Sequence, residues 1–412
     1  MTARQRTQIV LAYLAFVLVG VNTGVGGVLL PAQIADYRVS RATIGLTFFT
    51  FSAGFVIASV IAGPLIHRLG LRWTLVAGTA AAAVASLYLA TRPPFAGLVL
   101  VQLLAGTGAG VAESALNAHL AGLPGAAVLL GRLHAFFGVG ALSGPLLATW
   151  MLRRTPWTTV MLVTALASLP LIVGFVLVHR DEHRLHGQQP PHGQRPPHGG
   201  TAPEGPHGER SGLLAGVLRE RAVLLAAVFL SVYVGLEISV GNWGFSYLVG
   251  ERHRSDLAAG NAVSGFWLGL TLGRFVISPL AARLGWTTPR ITTACLTLVT
   301  VTGTVIWVVP SAAVAVAGLG VLGFFLGPLF PTTMAVMPML TRPQHVATAI
   351  GVLNGVSSVG GSALPWLAGT LTEAFGLWAL MPFVVLLALV QLLIWRRLVA
   401  RPEQVARPGQ AG

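Results

Sequence analysis

Apolar runs of roughly 20 residues recur along the whole chain, broken by short polar or Pro- and Gly-bearing stretches. A run of that length is what a helix needs to cross bilayer hydrocarbon, so the pattern predicts an all-α polytopic membrane protein. Twelve spans are expected, at residues 9–30, 44–66, 73–90, 95–120, 128–151, 157–178, 222–248, 257–282, 291–309, 311–337, 346–371 and 375–395. The ninth and tenth are separated only by the few residues around Pro310. Between the sixth and seventh lies a stretch rich in Pro, Gly and His with almost no apolar residues. It has nothing to bury and is expected to be a disordered connector. The domain plan is a six-helix bundle at 1–178, a connector at 179–221, a second bundle at 222–396 and a tail at 397–412.

Composition narrows the class. The chain is 54% hydrophobic and only 9% charged, whereas soluble domains run near a quarter charged. The net charge of +14 is not a nucleic-acid footprint, because all 26 basic residues are arginines and all but Arg274 sit in loops, tails and span ends. With both termini inside, 18 arginines fall on inner segments and 7 on outer ones (Arg38, Arg41, Arg92, Arg153, Arg154, Arg252 and Arg254), with Arg274 inside a span. That excess predicts cytoplasmic termini and connector, and the membrane is expected to be a bacterial cytoplasmic one. The basic start runs into an apolar stretch without a small-residue cleavage pattern, so it reads as a first span and not as a removed signal peptide. Cys295 is the single cysteine, so no disulfide within the chain can form. Six of the eleven histidines lie in the connector, but their spacing is irregular and no metal site is expected. There is no Walker loop, zinc spacing or G-x-S-x-G, so neither ATP-driven transport nor an enzyme is expected, and no cofactor.

The halves match each other. Gly63-Pro-Leu-Ile-His67-Arg68-Leu-Gly70 aligns with Ser278-Pro-Leu-Ala-Ala-Arg283-Leu-Gly285, and the stretch from Val19 to Gly26 aligns with that from Val234 to Gly241, both at an offset of 215 residues. A looser match pairs Val139, Gly140 and Pro145 with Val359, Gly360 and Pro365. Parallel six-span repeats joined by an inner connector are the plan of major facilitator transporters, whose site lies between the halves at mid-membrane. The stretch from Gly63 through His67, Arg68 and Gly70 to Arg72 resembles that superfamily's loop motif G-x-x-x-D-R-x-G-x-R, with His67 standing where the family has aspartate. A narrower resemblance is to the fucose–proton symporter branch. It is carried by Gly106, Gly110, Glu113 and Asn117 in the fourth span and by Tyr233, Glu237, Trp243 and Tyr247 in the seventh. Further matches are Phe266-Trp267 with Gly273-Arg274-Phe275, Pro328 to Pro331, and Gly360-Gly361 with Pro365. The chain departs from that branch at Gly27, before Val-Leu-Leu-Pro31, where the symporter has an aspartate.

The candidate chemistry is sparse, which makes it legible. A carboxylate is tolerated in hydrocarbon only if it faces a cavity or a partner, and there it can exchange a proton near neutral pH. Glu113 and Glu237 are therefore proton-coupling candidates. Glu113 shares a helix face with Asn117, four residues on; the alternative is a neutral acid bonded to a neighbouring helix. The repeat aligns Glu237 with Asn22, and its alternative is an ion pair with Arg274. Substrate-binding candidates are Asn22, Asn117, His134, Asn242, Trp243, Trp267 and Asn354; Phe136, Phe137 and Trp366 are further aromatics that could stack on a sugar, and Gln102 and Ser358 are weaker. Gate candidates are Gly63, His67, Arg68, Gly70, Arg72, Arg274 and Arg283, Arg274 being alternatively a ligand for an anion. Gly20 and Gly24 are expected to pack within the bundle. The reading is a monomeric secondary transporter moving a small neutral solute, a monosaccharide, by proton-coupled alternating access. The alternative is a proton-antiport exporter of drugs or metabolites. Its partners are the solute, protons and the lipid bilayer, with no nucleic acid.

Overall fold

The computed structural model describes residues 2–179, 216–342 and 345–399; the expected connector and tail lie almost wholly outside them. Among the described residues every regular element is helical. The first half comprises α1 (Ala3–Tyr37), α2 (Arg41–Ile44), α3 (Leu46–Ala90), α4 (Phe95–Ala121), α5 (Ala126–Leu152) and α6 (Trp157–Val178). The second comprises α7 (Arg221–Gly250), α8 (Asp256–Arg283), α9 (Thr288–Val308), α10 (Ala312–Leu326), α11 (Leu329–Leu340), α12 (Val346–Phe375) and, after a 3-10 turn at Leu377–Ala379, α13 (Leu380–Val399). Helix α3 supplies two spans joined at Gly70, and α10 with α11 supplies one, so the described residues account for twelve crossings.

Local chemistry sets the ends. Thr2 and Gln5 exchange hydrogen bonds in a capping box that starts α1. The expected loop at 63–72 is instead helix on both sides of a single kink: only Gly70, at φ 78° and ψ 165°, leaves helical geometry. Gly285 closes α8 at φ 67°, 215 residues on, so the repeat seen in the letters recurs in the backbone. Positive φ is the conformation that glycine reaches without a Cβ penalty. The expected tenth span breaks into α10 and α11 at Gly327–Pro328, where proline cannot donate the helical N–H.

Packing repeats as well. A Cβ on Gly140 of α5 would sit 2.0 Å from the Val17 carbonyl oxygen of α1, and one on Gly360 of α12 would sit 1.9 Å from that of Ser231 of α7. In the same way Gly106 of α4 abuts the Phe51 carbonyl of α3, and Gly323 of α10 abuts that of Phe266 of α8. Backbone against backbone at these spacings leaves no room for a side chain, and small residues are what allow membrane helices to approach so closely. Gly20 and Gly24 pack inside the bundle, against Phe137 and Ala141 of α5.

The halves meet along α1 with α7, α5 with α8, and α2 and α3 with α12. Their contacts run from mid-helix to the end remote from the termini. Gly27 meets Gly241 and Asn242, Gly138 meets Thr271, Gly260 meets Thr149, and Gly45 meets Trp366. At that remote end the guanidinium of Arg41 donates to the Thr372 carbonyl at 3.0 Å and its backbone N–H donates to the Glu373 carboxylate at 3.0 Å. Toward the termini the pattern reverses: a Cβ on Gly131 of α5, or on Gly351 or Gly355 of α12, would meet no atom within 4 Å.

Candidate functional site

Helix geometry gives each polar residue a depth. Glu113 lies eight residues before the end of α4, and His134 and Asn354 lie eight after the starts of α5 and α12. At 1.5 Å per residue these three stand about 12 Å in from the termini side, and Arg274 on α8 stands about 14 Å in. Asn22 and Glu237 are near the middles of α1 and α7.

Three elements of the first half carry polar groups at these depths. Asn22 is exposed and donates from its amide to the Leu18 carbonyl at 3.0 Å, leaving its oxygen uncommitted by that bond. Glu113 and Asn117 are half-buried where α4 passes α3 and α1, and the Asn117 amide donates to the Glu113 carbonyl at 2.9 Å. No ion pair joins Glu113 among the described residues. His134 is exposed, its ring edge-on to Phe16 at 5.7 Å, and it faces the field of Arg274 across the interface between the halves.

The second half presents a charge pair. Arg274 Nη2 stands 3.5 Å from Glu237 Oε1, and both are largely buried. The Tyr233 phenol, fully buried, lies beside both groups. The structure thus brings Glu237 and Arg274 together and adds Tyr233, which the spacing of the charges alone did not single out. Asn354 and Ser358 are one turn apart on α12; the Ser358 hydroxyl donates to the Asn354 carbonyl, and the Asn354 side chain is exposed.

The aromatic candidates are distributed differently. Trp243 is fully buried, its indole donating to the Pro365 carbonyl at 2.8 Å, and Trp267 is buried with its ring against Gly241. Asn242 is half-buried where α7 crosses α1. Phe136 stacks on Tyr13 at 4.8 Å, Phe137 packs into the core, and Trp366 packs on Phe49 across the halves. Gln102 is half-buried on α4.

The gate candidates cluster at the termini-side kink. Gly63, His67 and Arg68 are exposed on α3, Gly70 forms the kink, and the Arg72 guanidinium lies 4.9 Å from the Trp73 ring centroid. Arg283 is exposed at the end of α8. The lock at the opposite end, Arg41 with Thr372 and Glu373, was not read from the sequence. Nothing in its spacing joins residues 332 apart.

Two halves of equivalent packing, twelve crossings and polar groups at depth in both halves call for comparison with known transporters. The family model described as Major Facilitator Superfamily matches residues 12–255 and 238–412. The chain belongs to the major facilitator superfamily. It is therefore a multi-pass membrane transporter of a small-molecule solute. The chain is 27% identical over 389 residues to bypass of stop codon protein 6 of Saccharomyces cerevisiae, covering 90% of this chain and 78% of that protein. It is 22% identical over 361 residues to the glucose/mannose transporter GlcP of Bacillus subtilis, covering 87% and 86%. A shorter match, 28% identical over 168 residues and covering 40% of this chain and 37% of the relative, is to a gallate transporter of Pseudomonas putida. Among solved structures, the nucleoside transporter NupG superposes with a TM-score of 0.75 at 13% identity, over 96% of this chain and all of that one. A D-xylose–proton symporter superposes with 0.72 at 12% identity, over 94% and 97%. At such identities the superpositions speak for the fold.

Proposed function

We propose that this facilitator carries a small neutral polyhydroxylated solute, a monosaccharide, by proton-coupled alternating access in a bacterial cytoplasmic membrane, with both termini cytoplasmic. The observation that carries the choice of solute is the ion pair of Arg274 with Glu237. It matches the one arginine at depth with an acid from its own half, so the seam offers an anion no uncompensated cation. What remains there are amides at Asn22, Asn117 and Asn354, the His134 ring and the Glu113 carboxyl, groups that hydrogen-bond hydroxyls. Similarity to a glucose/mannose transporter over most of the chain supports the same reading, while similarity to a gallate transporter covers 40% of it.

In this reading Glu113 is the proton carrier: its carboxyl is half-buried, and no ion pair among the described residues holds it ionised. Gly27 cannot do that work, and it has no space for an acid in this conformation, since a Cβ there would lie 2.3 Å from the Gly241 carbonyl oxygen. The test is uptake of labelled glucose and of labelled gallate into proteoliposomes, with and without an imposed pH gradient. Glucose accumulation that follows the gradient is expected. In the Glu113→Gln variant accumulation should fall at least tenfold while sugar exchange persists. Gallate uptake without glucose uptake would overturn the neutral-solute reading, and full accumulation by the variant would overturn the role of Glu113.

A further inference from the structure

The arginines of the two membrane faces are treated differently by the fold. At the end remote from the termini three of them are matched by the protein itself. Arg41 binds Thr372 and Glu373, Arg92 pairs with Asp36, and Arg252 donates to the Tyr247 hydroxyl at 2.7 Å and to the Ile306 carbonyl. At the termini-side end of the second half Glu220 is bound by His345 and Thr341, and the arginines around the turn from α8 to α9 have no such partner among the described residues. A groove of about 700 Å3 opens where α8 turns into α9, lined by Trp286, Thr287, Pro289, Arg290, Thr293 and Ala294. Arg290 is exposed, and no hydrogen bond or ion pair joins its side chain among the described residues. The groove's own stretch of chain supplies no acid, because the sequence has no Asp or Glu from Leu257 to Thr372.

Other features place this groove at the boundary between lipid and water. The membrane-crossing part of α9 begins beside it, and Trp286, 42% exposed, is the amphipathic ring type that settles at headgroup depth. The indole of Trp395 donates to the Pro289 carbonyl at 3.4 Å, which docks the end of α13 on the groove wall. Exposed Arg396 and Arg397 follow directly, and exposed Arg283 ends α8 on the same side. Four arginines and a tryptophan ring, with no carboxylate beside them among the described residues, make an anion site facing the headgroup layer. The anion present there at high local concentration is the phosphodiester of a lipid, and guanidinium binds it with two parallel hydrogen bonds.

We propose that this groove binds the headgroup phosphate of an anionic phospholipid, with Arg290 as the principal ligand, Trp286 flanking the glycerol region, and Arg396 and Arg397 adding attraction. The site rests on the membrane embedding alone and is separate from the solute seam.

The test uses the purified full chain, stripped of lipid in neutral detergent and titrated with phosphatidylglycerol, with phosphatidylcholine of the same acyl chains, or with inorganic phosphate, while the melting temperature is followed. Phosphatidylglycerol should raise the melting temperature saturably, the other two much less. Arg290→Gln should weaken the half-saturating concentration at least fivefold, whereas Arg154→Gln, a residue stacked on Trp150 at the opposite end, should leave it unchanged. An equal response to phosphatidylcholine, or an unchanged midpoint in Arg290→Gln, would refute a charge-selected site; an equal response to inorganic phosphate would refute a lipid as the occupant. Should the variant not fold, photo-crosslinking of wild-type protein with a headgroup-labelled phosphatidylglycerol decides the matter: labelling within residues 283–297 is expected, and labelling only elsewhere overturns the proposal.

Discussion

At the scale of single residues, the decisive quantity is the space above each glycine. Gly140 and Gly360 touch carbonyl oxygens at distances no Cβ tolerates, whereas Gly131, on the same helix as Gly140, faces nothing. Overpacking a close contact costs typically 1–3 kcal/mol, while Gly to Ala in an unobstructed helix interior gains up to about 1 kcal/mol. Gly140→Ala should therefore lower the melting temperature in detergent and Gly131→Ala should leave it unchanged or raise it; equal effects would contradict the packing of α1 on α5. The sequence offered both glycines with the same letter. Spacing within a repeat flagged Gly140, but which of fifty glycines bears on a neighbour's backbone depends on a facing helix that no local pattern names.

At the scale of an element, α6 ends on a histidine that cannot easily carry charge. His179 is only 2% exposed, its backbone N–H closes α6 on the Phe175 carbonyl, and neither ring nitrogen has a hydrogen-bond partner among the described residues. Burial, then the positive fields of His119 and Arg4, push its pKa down to about 4. The unfolded chain binds that proton near pH 6.5 and the folded one near pH 4, so between those values the unfolded state holds more protons. Stability is therefore fully present above pH 6.5 and falls as the pH drops through this window, by roughly 3 kcal/mol in all at 1.36 kcal/mol per unit. Melting curves from pH 7 to pH 4 should show the loss, and His179→Phe should flatten it; an undiminished slope in the variant would exclude His179 as its source. The end of α6 was legible from hydropathy within a residue. The burial of its cap was not, because a histidine beginning a polar stretch reads as solvated until α4 is placed against it.

At the scale of the molecule, the halves close at one end and part at the other. The close contact of Gly27 with Gly241 and the lock of Arg41 on Thr372 and Glu373 all lie remote from the termini. If alternating access requires this end to open, joining it covalently must stop transport. In a Cys295→Ser background, the pair Arg41→Cys and Glu373→Cys should crosslink on oxidation and lose more than nine-tenths of uptake, with recovery on reduction; full uptake by the crosslinked protein would show that this end does not open. The sequence by itself determined the number of spans, their helical nature, the twofold repeat and the few polar residues at depth, because hydrocarbon penalises every charge and every unpaired backbone group, leaving a strong signal in the letters. Only the tertiary structure decided which of those residues meet: that Glu237 takes Arg274 as its partner, that Trp243 spends its indole N–H on Pro365, and that Gly27 is filled by a neighbouring backbone. Those outcomes depend on the distances between helices far apart in the chain, and such distances are set by the sum of all packing contacts and by no one segment.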